Sequence, residues 1–336
     1  MISPRLLRRR IKSIQNTAKI TKAMEMIATA KMRRAQEQAL AGRPYAEKIA
    51  QVISDLAVQY RGISQEVTPD STKAVGRQTH GSAPTEFLAT GKMVVGQGTH
   101  SYPVFGEVRP QDEDAKHPLL VRREVRRIGV VYITTDRGLC GGLNANMNRY
   151  IGNFILKIGK PVSFITVGRK GRDFILRCGQ ELRAEFSGVG DKPTLLDTLP
   201  ISRIVMDDYS NSYIDAVYIA YPRFSSIIIQ TPTMEALLPV EPAVSPGAQS
   251  SEYIYEPSAR FILSQLLPRF VQMEVYHAIL EAIASEYAAR MVAMRNATDN
   301  AEDLIGDLTI SLNKARQEMI TKELLDITGC AEALGK

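Results

Sequence analysis

Apolar residues recur every three or four positions in two long stretches, one at each end of the chain. The first stretch runs from Pro4 to about Tyr60 and is dominated by helix formers, with one interruption at Gly42 to Pro44. We therefore predict one very long N-terminal helix with a bend near that interruption. Small side chains that let a partner helix approach closely dominate one face. This face comprises Ile11, Ile14, Ala18, Thr21, Glu25, Ala28, Met32, Ala35 and Ala39.

A clearer seven-residue repeat begins after Pro257 and ends near Gly329. It predicts a helix of about 60 residues or more, on the order of 90 Å long, which a globular domain cannot bury alone. The economical solution is an antiparallel coiled coil of the two terminal helices; packing of either helix onto an ordinary bundle is the alternative. The repeat positions are Phe270, Met273, His277, Leu280, Ala284, Tyr287, Met291, Met294, Thr298, Ala301, Ile305, Leu308, Leu312, Ala315 and Met319.

The sequence between the helices changes character twice. Residues 61–115 are rich in Gly, Ser, Thr, Gln and Pro without a sustained period, which predicts an irregular insertion. Residues 116–250 contain β-branched runs followed by glycine and a helical pattern, which predicts a Rossmann-like α/β domain of three to five strands. The coiled-coil helices then occupy residues 1–60 and 251–336. The predicted strands are 127–135, 161–168, 216–224 and 226–239.

Charge supports the pairing of the two terminal helices. Residues 1–50 carry twelve Lys and Arg against three Glu, a local +9 that exceeds the +6 of the whole chain. Residues 257–329 carry seven Lys and Arg against ten Asp and Glu, a net −3. The basic N-terminus could be a transit peptide or a nucleic-acid arm, but its helical pattern continues without a break, which favours a structural helix. No apolar run approaches the roughly 18 residues that span a membrane.

The stretch Thr134 to Asn144 contains GLCGG, which fits the G-x-[S/C]-x-G pattern of a hydrolase nucleophile, here Cys140. Such a nucleophile needs a histidine base later in the chain, and the one candidate, His277, lies within the repeat of the C-terminal helix. A phosphate-binding loop is the second interpretation, but no Lys-Ser/Thr follows, and Asp136 would repel a phosphate. We therefore expect a structural turn with a small buried cysteine.

Other candidate chemistry is sparse. The three cysteines are odd in number and far apart, which predicts a reducing compartment and no disulfide framework. His80 and His100 lie in the insertion and His117 just after it, without the Cys or carboxylate neighbours of a closed metal site, so we expect no metal and no cofactor. The basic helix lacks any nucleic-acid-binding motif, which favours an acidic protein surface as its partner.

Three separated motifs, in order along the chain, resemble the gamma subunit of F-type ATP synthases. The first is Arg10-IKSIQNTAKITKAMEMIATAKMRRA, and the second is Tyr132-ITTDRGLCGGLNANM. The third comprises Ser285-EYAARMVAMRNATDNAEDLI and Leu312-NKARQEMITKELLDITG, preceded by Tyr253-IYEP. The resemblance implies a non-catalytic rotor shaft that couples ion-driven rotation to ATP synthesis or hydrolysis. A basic coiled-coil adaptor for an acidic protein or nucleic acid is the alternative function.

The resemblance also implies partners: alpha and beta subunits around the coiled coil, and the epsilon subunit and the membrane ring of c subunits at the α/β domain. Position by position, Lys22 and Met24 match the segment that faces an acidic beta-subunit lever. Arg290 matches a residue important for coupling. The positions that match the contacts with a beta-subunit loop are Arg316, Gln317, Thr321 and Glu323.

The chain departs from the family pattern by roughly fifty extra residues before Lys116-His-Pro-Leu119. The regulatory cysteine pair of chloroplast relatives has no counterpart among these cysteines, so we expect no thiol control of rotation. Because the first motif begins close to Met1, we expect no cleaved targeting peptide. The expected location is the cytoplasmic face of a bacterial membrane, as a peripheral protein without bound nucleic acid.

Overall fold

Both terminal helices are continuous over most of their predicted length. The computed structural model describes residues 3–65, 117–240, 256 and 258–334, and the contacts below belong to the compact unit of residues 1–57 and 117–336. Helix α1 spans Pro4–Gln65 and continues through Pro44, where the sequence predicted an interruption. Its long C-terminal counterpart, helix α5, spans Ala259–Leu334 and continues through Pro268. Its 76 residues correspond to about 114 Å at 1.5 Å per residue.

The two helices pair antiparallel, as predicted. The hydroxyl oxygens of Thr21 and Thr298 lie 2.7 Å apart, and Met32 packs with Tyr287. Following this register from Thr21 back to Pro4 advances the facing position on α5 from Thr298 to Ala315. The last turns of α5 therefore extend past the start of α1. The predicted α1 face is buried or half-buried throughout, and so is every repeat position of α5 except Met319, which is 44% exposed.

Between the helices lies a five-stranded sheet of order β3-β2-β1-β4-β5, in which β1 to β4 are parallel and β5 is antiparallel. This topology confirms the predicted Rossmann-like α/β domain, and its five strands are the upper end of the predicted range of three to five. The strands and helices in chain order are β1 Ile128–Ile133, α2 Leu143–Ile158, β2 Val162–Val167, α3 Arg169–Arg177, β3 Glu181–Phe186, α4 Leu195–Ser210, β4 Ala216–Phe224 and β5 Gln230–Leu238. A short 3-10 helix, Pro118–Leu120, precedes β1.

Alternate side chains of β1 enter two separate cores. Val130 and Tyr132 pack with α2 and α3, while Val131 and Ile133 pack with α4 and α5. All six β1 residues are buried, which explains their uninterrupted apolar character. Helix α5 thus covers one side of the α/β core and is also one of the two helices of the coiled coil. The coiled coil is therefore packed directly onto the α/β domain.

Two strand predictions need correction. The run that begins at Ser226 was predicted to be a strand from its first residue, but β5 begins only at Gln230. Ser226 and Ile229 close a turn through two mutual hydrogen bonds of 3.0 Å, and the intervening isoleucines are exposed. Strand β3 escaped prediction because it lies at the sheet edge and alternates exposed and half-buried residues, so it has no apolar run. The insertion and the proposed domain boundaries remain predictions, since residues 66–116 lie outside the described residues.

Candidate functional site

The turn after β1 packs Cys140 against α5 instead of exposing it. Cys140 is 2% exposed and packs with Leu143 and with Ala289 of α5, which confirms the predicted buried cysteine. Its sulfur accepts a hydrogen bond of 3.2 Å from the Asn144 amide. Burial, followed by the nearby Glu286 carboxylate, raises the pKa of the thiol. A thiol that stays protonated is the opposite of an activated nucleophile.

Asp136, in the turn after β1, caps helix α3. One carboxylate oxygen accepts the amide N–H of Arg169 at 3.0 Å, and the other accepts that of Gly188 at 2.8 Å. The amide of Lys170 donates to the carbonyl of Thr135 at 3.1 Å. These N–H groups belong to α3 and to the loop after β3, whereas the candidate phosphate loop precedes α2. The structural interpretation of that turn therefore rests on the buried Cys140. The Asp136 carboxylate ties the ends of three neighbouring segments together.

A cleft of about 660 Å³ lies where the carboxyl ends of β1, β2 and β3 face α1 and α5. Ligands of open α/β sheets usually bind at this edge. Here the wall opposite the sheet is formed by the two long helices. Its apolar lining includes Met24, Ile27, Ile279 and Ile283, and its charged lining includes Lys31, Asp136, Arg137, Asp191, Glu286 and Arg290.

Five side chains at this cleft form what we call the junction cluster: Lys31, Asp191, Glu286, Tyr287 and Arg290. The Asp191 carboxylate pairs with the Lys31 ammonium of α1 and accepts the hydroxyl hydrogen of Tyr287 of α5. The Lys31 ammonium and the Arg290 guanidinium each lie 5.3 Å from the centroid of the Tyr287 ring. The cluster therefore joins both long helices to the loop after β3.

Arg290 is a buried cation that binds a buried carboxylate. It donates to Glu286, one helical turn earlier, at 2.6 Å and to the carbonyl of Gly138 at 3.3 Å. The side chains of Arg290 and Glu286 are only 10% and 18% exposed. Burial raises the pKa of Glu286 by more than the Arg290 charge lowers it, with Asp136 and Asp191 adding to the increase. The pair fixes α5 against the turn after β1.

The residues predicted to contact partner subunits occupy two separate regions. Met24 is half-buried and lines the cleft, whereas Lys22 is exposed and pairs with Glu25 at 2.9 Å. Arg290 belongs to the junction cluster. The C-terminal set is exposed on α5 beyond the start of α1: Arg316, Gln317, Thr321 and Glu323. Their roles as contacts remain predictions.

The histidines considered as metal ligands, for which we expected no site, lie partly inside and partly outside the described residues. His80 and His100 lie outside the described residues. His117 instead accepts the Leu119 amide N–H at 3.3 Å and caps the short 3-10 helix, and burial and the Arg260 charge lower its pKa. Among the described residues, no group of three metal-ligating side chains comes together. In that same part of the chain, no helix is apolar and long enough to cross a membrane.

Sequence reasoning missed Asp191 and the acceptor role of Asp136. Asp191 follows two glycines, Gly188 and Gly190, whose φ angles of 74° and 79° favour glycine. The pair of closely spaced glycines was the available signal in the sequence. The alternating pattern of β3 concealed that strand, so the position of the loop at the carboxyl edge was not apparent.

The fold defines a class of protein in which two terminal helices form an antiparallel pair rooted in a Rossmann-like domain. A family model described as ATP synthase matches residues 3–334. The ATP synthase gamma chain of Dehalococcoides mccartyi strain CBDB1 is 52% identical over 334 residues, covering 99% of this chain and 100% of the relative. That of Herpetosiphon aurantiacus is 42% identical over 345 residues and covers both chains completely. The chain belongs to the ATP synthase gamma-chain family.

Solved structures share the fold at lower identity. A chain in a cryo-EM structure of the Euglena gracilis mitochondrial ATP synthase, comprising OSCP, F1 and c-ring, has a TM-score of 0.59 and 20% identity. The match covers 98% of this chain and 94% of that chain. A central-stalk and c-ring structure from Tetrahymena thermophila gives a TM-score of 0.53 at 20% identity, covering 83% and 99% of the two chains. The likeness extends over both helices and the sheet.

Proposed function

We propose that this chain is the central rotor shaft of an F-type ATP synthase. In this role it performs no bond chemistry; it couples rotation of a membrane ring to ATP synthesis or hydrolysis at beta-subunit sites. A shaft of this kind works by contacting the conformers of its partner differently, so that turning it shifts their equilibrium. The observation that carries the proposal is a 76-residue helix, α5, that is part of the α/β core at one end and extends past its partner helix at the other.

The end of α5 that extends past α1 exposes apolar side chains along one face, as a helix does when another subunit covers it in a complex. Ile320, Leu324 and Ile327 are 45%, 57% and 66% exposed and lie at spacings of four and three, which place them on one face. Most of the stability of a helix in a protein comes from packing of its apolar face, so this face is expected to have a partner. We propose that the alpha and beta subunits surround this end, with Arg316, Gln317, Thr321 and Glu323 among the contacts.

The basic face of α1 is the second proposed contact. Lys22 is exposed and Met24 opens onto the cleft, so an acidic beta-subunit segment can reach both. Arg290 contributes from behind this surface by holding the turn after β1. We propose that the α/β domain contacts the epsilon subunit and the c ring, and that the chain is peripheral to the cytoplasmic face of a bacterial membrane.

The test is reconstitution. The chain is expressed with the alpha and beta subunits of one of its bacterial relatives, and the purified complex is assayed for ATP hydrolysis and, with a bead on the α/β domain, for rotation. We expect stepwise rotation that requires ATP. A matched variant, Gln317→Ala with Thr321→Ala, should lower the torque, while Arg126→Met, in an exposed pair on the α/β domain, should not. Hydrolysis without rotation in the assembled complex would contradict the proposal.

A further inference from the structure

We propose that Asp191 is a positioning residue that latches both long helices to the α/β domain, so that α1, α5 and the sheet turn as one body. The inference rests on the proposed rotor function. It assigns a mechanical role to a loop aspartate that neither the motifs nor the predicted contact residues include. The latch consists of Asp191, Lys31 of α1 and Tyr287 of α5.

The two oxygens of one carboxylate bind different helices. Oδ2 of Asp191 pairs with the Lys31 ammonium, and Oδ1 accepts the Tyr287 hydroxyl. The Lys31 ammonium also lies 3.5 Å from the Tyr287 hydroxyl oxygen, which closes a triangle between the three groups. Such charge-assisted bonds fix direction as well as distance. If α1 slides or twists relative to α5, the bonds that Asp191 makes to Lys31 and to Tyr287 can no longer both be kept.

The loop that carries Asp191 is itself fixed to the sheet. The Gly188 amide donates to Asp136, and Asp136 also holds the first turn of α3 through Arg169. On the helix side, Tyr287 is 7% exposed. A force on the α/β domain can therefore pass from the sheet through this loop to both helices.

Both long helices enter the α/β core, but at a distance from Lys31 in the case of α1. The first part of α5 lies in this core from Leu263 to Ala282, and α1 enters it at Ile49 and Ile53. At the level of the latch, the apolar residues Ala28 and Met32 of α1 face α5, and Lys31 reaches the α/β domain. Apolar contacts are non-directional and oppose sliding weakly. The directional ion pair of Lys31 with Asp191 adds a restraint against twisting at this level of the helix pair.

The experiment measures torsional stiffness in the assembled, rotating complex. A bead is fixed to the α/β domain, and its angular fluctuations are recorded while the head is paused. In Asp191→Ala, we expect the angular variance to increase by about twofold or more. This factor corresponds to the lower end of the interaction energies found between side chains of one hydrogen-bond or salt-bridge network. ATP hydrolysis without load should persist, whereas ion pumping per ATP by the complete synthase, with its membrane ring, in liposomes should fall. Lys31→Met, which removes the bond to α1 and keeps that to Tyr287, should increase the variance by no more than Asp191→Ala does. The double variant should not exceed Asp191→Ala.

The matched control is Asp173→Asn, which weakens a half-buried ion pair with Arg172 elsewhere in the α/β domain and should leave the variance unchanged. An unchanged variance in assembled Asp191→Ala, or an equal increase in the control, would overturn the latch. If Asp191→Ala does not assemble, Tyr287→Phe, which keeps the ring and removes one latch bond, must still increase the variance, or the latch is rejected. A wild-type complex that does not rotate would overturn the rotor function and the latch together.

Discussion

Replacing Arg290 with Met should leave a buried carboxylate without its cation. Arg290 and Glu286 are 2.6 Å apart, and their side chains are 10% and 18% exposed. Removing one partner of a buried pair costs about 3–5 kcal/mol, because the remaining charge stays desolvated. We expect the lower end, about 3 kcal/mol at pH 8, since both side chains keep some contact with water. Glu286→Gln combined with Arg290→Met should recover most of this loss.

The loss should depend on pH in a defined direction. Burial already raises the pKa of Glu286 above its ordinary 4.5, and Arg290 opposes that increase. Without Arg290 the folded-state pKa rises further, so the folded state keeps a proton that the unfolded state releases. The favourable contribution of protonated Glu286 is fully present below pH 4.5 and is lost as the pH rises through the folded-state pKa. The deficit of Arg290→Met relative to wild type should therefore be small near pH 5 and larger at pH 8.

Denaturant unfolding of the full chain, monitored by circular dichroism at pH 5 and pH 8, measures the loss of stability and its dependence on pH. Arg126→Met is the control because the ion pair of Arg126 with Glu124 is about 80% exposed. This variant should lose less than about 1 kcal/mol of unfolding free energy at either pH. A deficit of Arg290→Met that is equal at the two pH values, or greater at pH 5, would refute the assignment of a buried, high-pKa carboxylate at position 286.

Substitutions at three further places test the packing around the site. Gly168→Ala should lower the free energy of unfolding by about 3 kcal/mol or more, because the φ of Gly168 is 100° and a Cβ there would overlap a backbone oxygen. Gly159→Ala is the control: its φ is 57° and a Cβ would lie in open space, so it should cost about 1–2 kcal/mol. Cys140→Ser should leave ATP turnover of the assembled complex largely intact, and loss of turnover would count against a structural cysteine. Thr21→Val with Thr298→Val should be nearly neutral by the same unfolding assay, while either single change should cost about 1 kcal/mol.

The sequence was most informative where one physical requirement dominates. The repeat from Phe270 to Ala315 predicts the buried face of α5 because a helix pair buries the same positions along its whole length. The strands β1 and β2 were recognisable because both of their faces are covered. Turns and edges carry no such uniform requirement. Ile227 to Ile229 have strong strand propensity, yet two hydrogen bonds involving Ser226 hold them in a turn.

The site was harder to predict because its members come from distant parts of the chain. Lys31, Asp191 and Tyr287 belong to α1, a loop and α5, and nothing in their local sequence relates them. Asp136 shows a different difficulty. Its charge beside the glycine turn argued against a bound phosphate, but the local sequence did not indicate its structural role. Its carboxylate caps α3, a helix that begins 33 residues later in the chain.

Met319 is the one repeat position that is exposed, and its exposure follows from the lengths of the two helices. The register that pairs Thr21 with Thr298 places Pro4, the first residue of α1, opposite Ala315. Beyond that point the apolar repeat of α5 has no partner within α1. An apolar face that continues along a helix after its intramolecular partner has ended would cost stability unless another surface covers it. The sequence therefore specifies two successive partners for a single helix: first α1, and then, under the proposed function, the subunits that surround the shaft.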